Sequence, residues 1–182
     1  MHNIHNIMEI VQLNANAKLS EHFTLGEFTR SGSHPEVYNI PSHEAIANLK
    51  RLCVWLEALR EASPGPTASP GPSKRRGAPI IINSGYRSPQ LNRKIGGAAN
   101  SNHLTGCAVD IRTSGVEQAI CYAAILIKYS KESNQDFDEL LIEKNRYGAV
   151  WVHFAVRPKD RSATQGDACQ SKNRRKVAFL NA

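Results

Sequence analysis

No apolar run in the 182 residues approaches the roughly 20 that a membrane-spanning helix needs, which excludes insertion by such a helix. The opening, MHNIHNIMEIVQLNANAKLS, lacks a basic start running into an uninterrupted apolar stretch, so no secretory signal is expected. Four cysteines (Cys53, Cys107, Cys121 and Cys169) form no CxxC pair. That spacing suggests neither a disulfide framework nor a cysteine zinc site, and it permits a reducing compartment. No internal repeat is visible. Acidic residues are few, 16 against 23 Lys and Arg, which leaves a formal charge of +7. Such a balance favours anionic partners such as nucleic acid, acidic polymers or a bacterial envelope. Part of the excess is local, in SKRRG (73–77) and KNRRK (172–176), and short runs like these are ordinarily solvated.

What is present suits one compact domain. Hydrophobic residues make up 41% and charged residues 21%, enough apolar material for a core. LSEHFTLGEFTRSGS (19–33) reads as a short structured lead-in after an N-terminal extension over 1–18. SHEAIANLKRLCVWLEALREA (42–62) reads as a helix, with Ser42 as cap and Leu49, Leu52, Cys53, Leu56 and Leu59 on one face. Residues 63–78 are rich in Pro, Gly and Ser and read as an inserted loop. PIIINSGYRSP (79–89) reads as a short strand and turn, SPQLNRKIGG (88–97) as helical turns stopped by glycines, and CAVDIR (107–112) as a strand. VEQAICYAAILIKYS (116–130) is a second helix. FDELLIE (137–143) and AVWVHFAV (149–156) read as an antiparallel hairpin about KNRYG. Residues 157–182 are left as a basic tail. The expected class is α+β, a small antiparallel sheet with helices packed on it.

The densest chemistry lies in SNHLTGCAVDI (101–111), where His103 and Asp110 are seven apart with Gly106 between them. Gly106 tolerates the tight turn that would bring the two side chains together. Asp110 stands among apolar strand residues and needs a partner there, a metal ion or an arginine. In WVHFAV, alternation puts Trp151, His153 and Ala155 on one face and Val152, Phe154 and Val156 on the other. Taken alone, either histidine also reads as an ordinary hydrogen-bonded residue. Two histidines and one carboxylate on rigid elements make a common catalytic zinc set.

SGYRSPQLN, SNHLTGCAVDI and WVHF, in that order and spacing, resemble the M15 family of zinc D-Ala-D-Ala carboxypeptidases and related endolysins. The M15A-type branch, whose members also begin with a segment like LSEHFTLGEF, is the nearer likeness. The resemblance covers residues 19–156 and implies the zinc DD-peptidase (hedgehog-like) fold. It implies one zinc ion per chain on His103, Asp110 and His153. It implies that Arg87 contacts the substrate carbonyl or carboxylate and steadies the oxyanion, with a buried ion pair to Asp110 as the alternative. Ser101 is implied as a substrate or supporting hydrogen-bond donor, with a turn-stabilising serine as the alternative. One position departs from the family. Where many members carry the acidic general base, three residues before the last histidine, this chain has Val150. Glu143, in an LIEK context similar to that branch, is the replacement expected to act as general base; Asp138 and Glu139 sit further along the strand.

The implied activity is hydrolysis of an amide in peptidoglycan stem peptide or cross-bridge. A phage or prophage lysis protein, or a tail-associated enzyme, is the expected setting, reaching the wall through a pore or as a virion component. The competing reading is a metal- or wall-binding module of the same fold without catalysis, motivated by Val150. Nucleic-acid binding is a third reading, set aside because no recognised reading module accompanies the short basic clusters.

Overall fold

The computed structural model describes residues 14–63, 77–157 and 176–181. Residues 1–13 of the expected extension, 64–76 of the inserted loop, and 158–175 and 182 of the expected tail lie outside the described residues. The elements run α1 (Leu25–Thr29), α2 (His43–Ala62), β1 (Ile82–Ser84), α3 (Pro89–Lys94), a 3-10 turn (Asn102–Thr105), β2 (Ala108–Arg112) and α4 (Val116–Ser133). Strands β3 (Glu139–Lys144), β4 (Val150–Ala155) and β5 (Lys176–Asn181) follow. The architecture is α+β.

The strands form one sheet in the order β1-β2-β4-β3-β5. Pairings β1–β2, β2–β4 and β4–β3 are antiparallel, as the sequence predicts, and β3–β5 is parallel. The sheet is therefore larger than expected and mixed, because part of the segment read as a tail supplies its fifth strand.

Period-two alternation sorts each strand into two faces. Val109, Ile111, Leu140, Ile142, Val152 and Phe154 point to one side and are buried in the main apolar cluster. Helices α2 and α4 pack on each other and close this side, α4 against β3 and β4 and α2 against β2. Trp55 of α2 is the aromatic hub, 5.0 Å from the Tyr129 ring and 5.1 Å from Phe154. The predicted stripe of α2 (Leu49, Leu52, Cys53, Leu56 and Leu59) is completely buried. Ser42 caps that helix, accepting the Ala45 N–H at 3.1 Å. With one face given to the core, the opposite face is left for polar side chains. Its three middle strands carry Asp110, His153, Glu139 and Glu143 there.

Candidate metal centre

Strand register sets the first part of the site. Asp110 of β2 lies opposite His153 of β4, and His153 lies opposite Leu141 of β3. Directly opposed side chains on one face stand close enough to touch. His153 Nδ1 lies 2.9 Å from Asp110 Oδ1.

His103 arrives from outside the sheet, on the 3-10 turn rather than on an irregular loop. Ser101 caps that turn, its Oγ accepting the His103 N–H at 3.4 Å. Gly106 ends it with φ at 71°, and a Cβ there would stand 2.6 Å from the Ala45 carbonyl oxygen. Only glycine meets both demands. The turn folds His103 back over β2, where its ring is 2% exposed. Its Nδ1 lies 2.6 Å from the Gly85 carbonyl oxygen. Gly85 is itself confined, since a Cβ on it would fall 2.7 Å from the Phe28 Cα. The SGYR turn thus supplies a carbonyl as well as an arginine.

A carbonyl only accepts, so the proton of a neutral His103 ring sits on Nδ1 and Nε2 presents its lone pair. That nitrogen is 3.3 Å from Asp110 Oδ1, also an acceptor. Two acceptors facing each other need a proton or a cation between them. The three side chains offer ligand atoms that all lie within 4.8 Å of one another. Two imidazole nitrogens and one carboxylate oxygen are the donor set zinc takes in catalytic sites, so the residues present fit that ion.

The other Asp110 oxygen is taken. Arg87 Nη2 donates to Oδ2 at 2.6 Å, and Arg87 Nε donates to Ser84 Oγ at 2.9 Å. The ion pair weighed as the alternative for Arg87 is thus present, with 15% of its side chain exposed. Burial alone would raise the Asp110 carboxyl pKa, but the charges and hydrogen bonds of His103 and His153 outweigh it. The group is held well below the usual carboxylate range. Burial likewise disfavours the His153 imidazolium, yet the hydrogen bond to Asp110 and the Glu139 carboxylate 3.4 Å away prevail and lift its pKa to about 9.

Beside this cluster lies a cavity of about 800 Å³, whose lining includes Ser101, Asn102, Glu139, Glu143, His153 and Lys176. Glu143 stands opposite Trp151, one diagonal step from His153, and its Oε2 accepts the indole N–H at 2.6 Å. Val150 is buried and turned to the core side. A smaller cavity of about 490 Å³ at β1, around Arg30, Arg60 and Arg112, holds none of the expected site residues.

The structure therefore gathers His103, Asp110, His153 and Arg87 into one cluster and sets Glu143 and Ser101 on the adjoining cavity. Sequence reasoning ranked Glu139 below Glu143, yet Glu139 Oε2 is 3.4 Å from His153 Nε2. It also gave no place to Asn102, whose Nδ2 reaches Glu139 Oε2 at 3.1 Å, or to the Gly85 carbonyl. The available signal was parity: Glu139, Leu141 and Glu143 share one face of β3, and both glutamates are diagonal to His153.

The sequence profile of the family described as Peptidase M15 matches residues 73–147. A protein named zinc D-Ala-D-Ala carboxypeptidase, from Streptomyces albus G, is 29% identical over 133 residues, covering 73% of this chain and 45% of that protein. The chain thus spans less than half the length of the curated relative it matches. Both comparisons support the likeness to the M15 zinc peptidases carried by SGYRSPQLN, SNHLTGCAVDI and WVHF. His153 lies beyond the matched interval, and the β2–β4 register brings it to Asp110.

Proposed function

We infer that the chain is a zinc-dependent peptidase of the M15 type, hydrolysing an amide bond in peptidoglycan peptides. The observation that carries this is the convergence of His103, Asp110 and His153 beside a cavity that Glu143 also lines. The named activity of the Streptomyces relative makes a terminal D-Ala-D-Ala peptide the first substrate to try.

His103 Nε2, Asp110 Oδ1 and a nitrogen of His153 would hold the ion. Zinc held there would polarise a carbonyl and make water more acidic. The protein's own groups do the rest. Arg87 fixes Oδ2 of Asp110, so that Oδ1 keeps its aim at the histidines. An oxyanion role for the other guanidinium N–H groups rests on the resemblance to the family. Glu143 is the proton carrier: Trp151 holds its Oε2, leaving Oε1 to take a proton from water and return it to the leaving amine. Ser101 already caps the His103 turn and faces the cavity, so it orients the loop and offers its hydroxyl to the peptide. Leu141, on the cavity wall between the two glutamates, offers the peptide an apolar contact.

The test is release of D-alanine from a D-Ala-D-Ala peptide, and of new peptide ends from purified peptidoglycan. Activity abolished by a chelator, restored by zinc and absent in His103→Ala is the expected result. Intact peptides with zinc-loaded wild type would refute it. A second reading, a metal- or wall-binding module without catalysis, is favoured by the buried apolar Val150 at the position where many relatives carry an acid. Tight wall binding with zinc present and no bond cut would establish that reading instead.

A further inference from the structure

We propose that Glu139 is a positioning residue of the metal centre, its carboxylate fixing the His153 ring so that Nδ1 faces Asp110 and the ion. The inference rests on the reading that His103, Asp110 and His153 hold a metal.

The two ring nitrogens of His153 face two different carboxylates. Nδ1 lies 2.9 Å from Asp110 Oδ1, and Nε2 lies 3.4 Å from Glu139 Oε2. A neutral imidazole offers one lone pair and one N–H. With an acceptor at Nε2, the proton belongs there and the lone pair belongs at Nδ1, which is where the ligand set converges. Turning the ring over would leave the Glu139 carboxylate facing carbon. Partners of this kind on the outer nitrogen are what hold metal-bound histidines in one tautomer and one orientation.

Glu139, rather than Glu143, has this role on three observations. Both stand diagonal to His153, at the register positions of Ala155 and Trp151. The Glu143 Oε2 is taken by the Trp151 indole, whereas the Glu139 Oε2 lies at the ring. Glu139 is also held from two sides. Asn102 Nδ2 donates to Oε2 at 3.1 Å, and Lys176 Nζ lies 4.0 Å from Oε1. Asn102 is the residue before His103, so one carboxylate links the turn that bears one histidine to the strand that bears the other. Lys176 opens β5, which ties the C-terminal strand to the same carboxylate. The backbone beside it is pinned as well, the Asp138 N–H donating to Ala155 at 2.8 Å and its carbonyl accepting the Lys176 N–H at 3.1 Å.

The test titrates zinc against a competing chelator into metal-free wild type, Glu139→Gln, Glu139→Ala and Lys176→Met, with the melting temperature of each metal-free protein as the folding control. Glu139→Ala should weaken zinc binding about 10- to 100-fold. Glu139→Gln keeps an acceptor oxygen and should recover most of that loss, with Lys176→Met costing less than either. If Glu139→Ala does not fold, Glu139→Met, which fills the space without an acceptor, takes its place. Zinc bound by folded Glu139→Ala as tightly as by wild type overturns the proposal. Equal losses in the Gln and Ala variants also overturn it, because charge and not a placed acceptor would then set the affinity. No zinc binding by wild type refutes the metal reading itself, and this inference with it.

Discussion

At the scale of the residue, the consequence most open to measurement is the competition between a proton and a metal ion for His153. Asp110 and Glu139 raise its pKa from the ordinary 6.5 to about 9 in the metal-free protein. A raised pKa of this kind stabilises the metal-free fold fully below pH 6.5, and the contribution is lost as pH rises through 9. The ion requires the deprotonated nitrogen, so it must displace that proton. Zinc affinity should therefore climb with pH, about tenfold per unit while one proton is displaced, and level off near pH 9. Chelator competition at pH 6, 7 and 8 checks this, and a flat profile would count against His153 as a ligand. Glu143 makes the second residue-scale prediction. Glu143→Gln should keep its zinc and lose about 10²- to 10⁴-fold in kcat, the usual contribution of a placed acid or base. Zinc content and kcat measured on the same sample decide it.

Residues differed in how legible they were. His103, Asp110 and His153 could be read because a fixed spacing and a strand parity both pointed to them, and each is costly to bury without a partner. Arg87 could be read as important but not assigned, since one guanidinium serves a carboxylate or a substrate equally well. Glu139 was hidden because parity treats it and Glu143 alike; only the paths of the Trp151 and Asn102 side chains separate them.

At the scale of the element, the 3-10 turn is the fragile part. Its end at Gly106 combines φ of 71° with an approach to the α2 backbone that leaves no room for a Cβ. Gly106→Ala should cost about 1–3 kcal/mol in strain alone and displace His103, so that the variant melts lower and binds zinc more weakly. Calorimetry with and without zinc checks both effects; an unchanged melting temperature would show that the turn tolerates the methyl group. Helices α2 and α4 and the β3–β4 hairpin were legible from caps, apolar stripes and alternation. Strand β5 was not. KVAFLN follows a basic run, and Val177 and Phe179 stay exposed on the sheet edge. Nothing in its local pattern announces a partner, because its parallel pairing with β3 is a long-range event.

At the scale of the whole molecule, the sheet divides labour between its faces. One face and two helices bury the core, and the other presents the chemistry. Thiols report on that division. Cys53 and Cys107 are buried and Cys121 is exposed. Burial pushes the Cys53 thiol up to about 12 and the Cys107 thiol upward as well, which keeps both protonated and unreactive. With Cys169, which lies outside the described residues, replaced by serine, native protein should take up one equivalent of a maleimide, at Cys121. Three equivalents should react after denaturation. Mass spectrometry of labelled peptides checks the assignment, and rapid native labelling of Cys53 would mean the α2 face is not closed.

The proposed function requires that His103, Asp110 and His153 form one zinc site. X-ray absorption at the zinc edge, on protein loaded with one equivalent, tests it most directly. A His103–Asp110–His153 site predicts low-atomic-number ligands at about 2.0–2.1 Å with the multiple-scattering pattern of two imidazoles, reduced to one in His153→Ala. Sulfur at about 2.3 Å, or a shell of oxygens without imidazole, would contradict it.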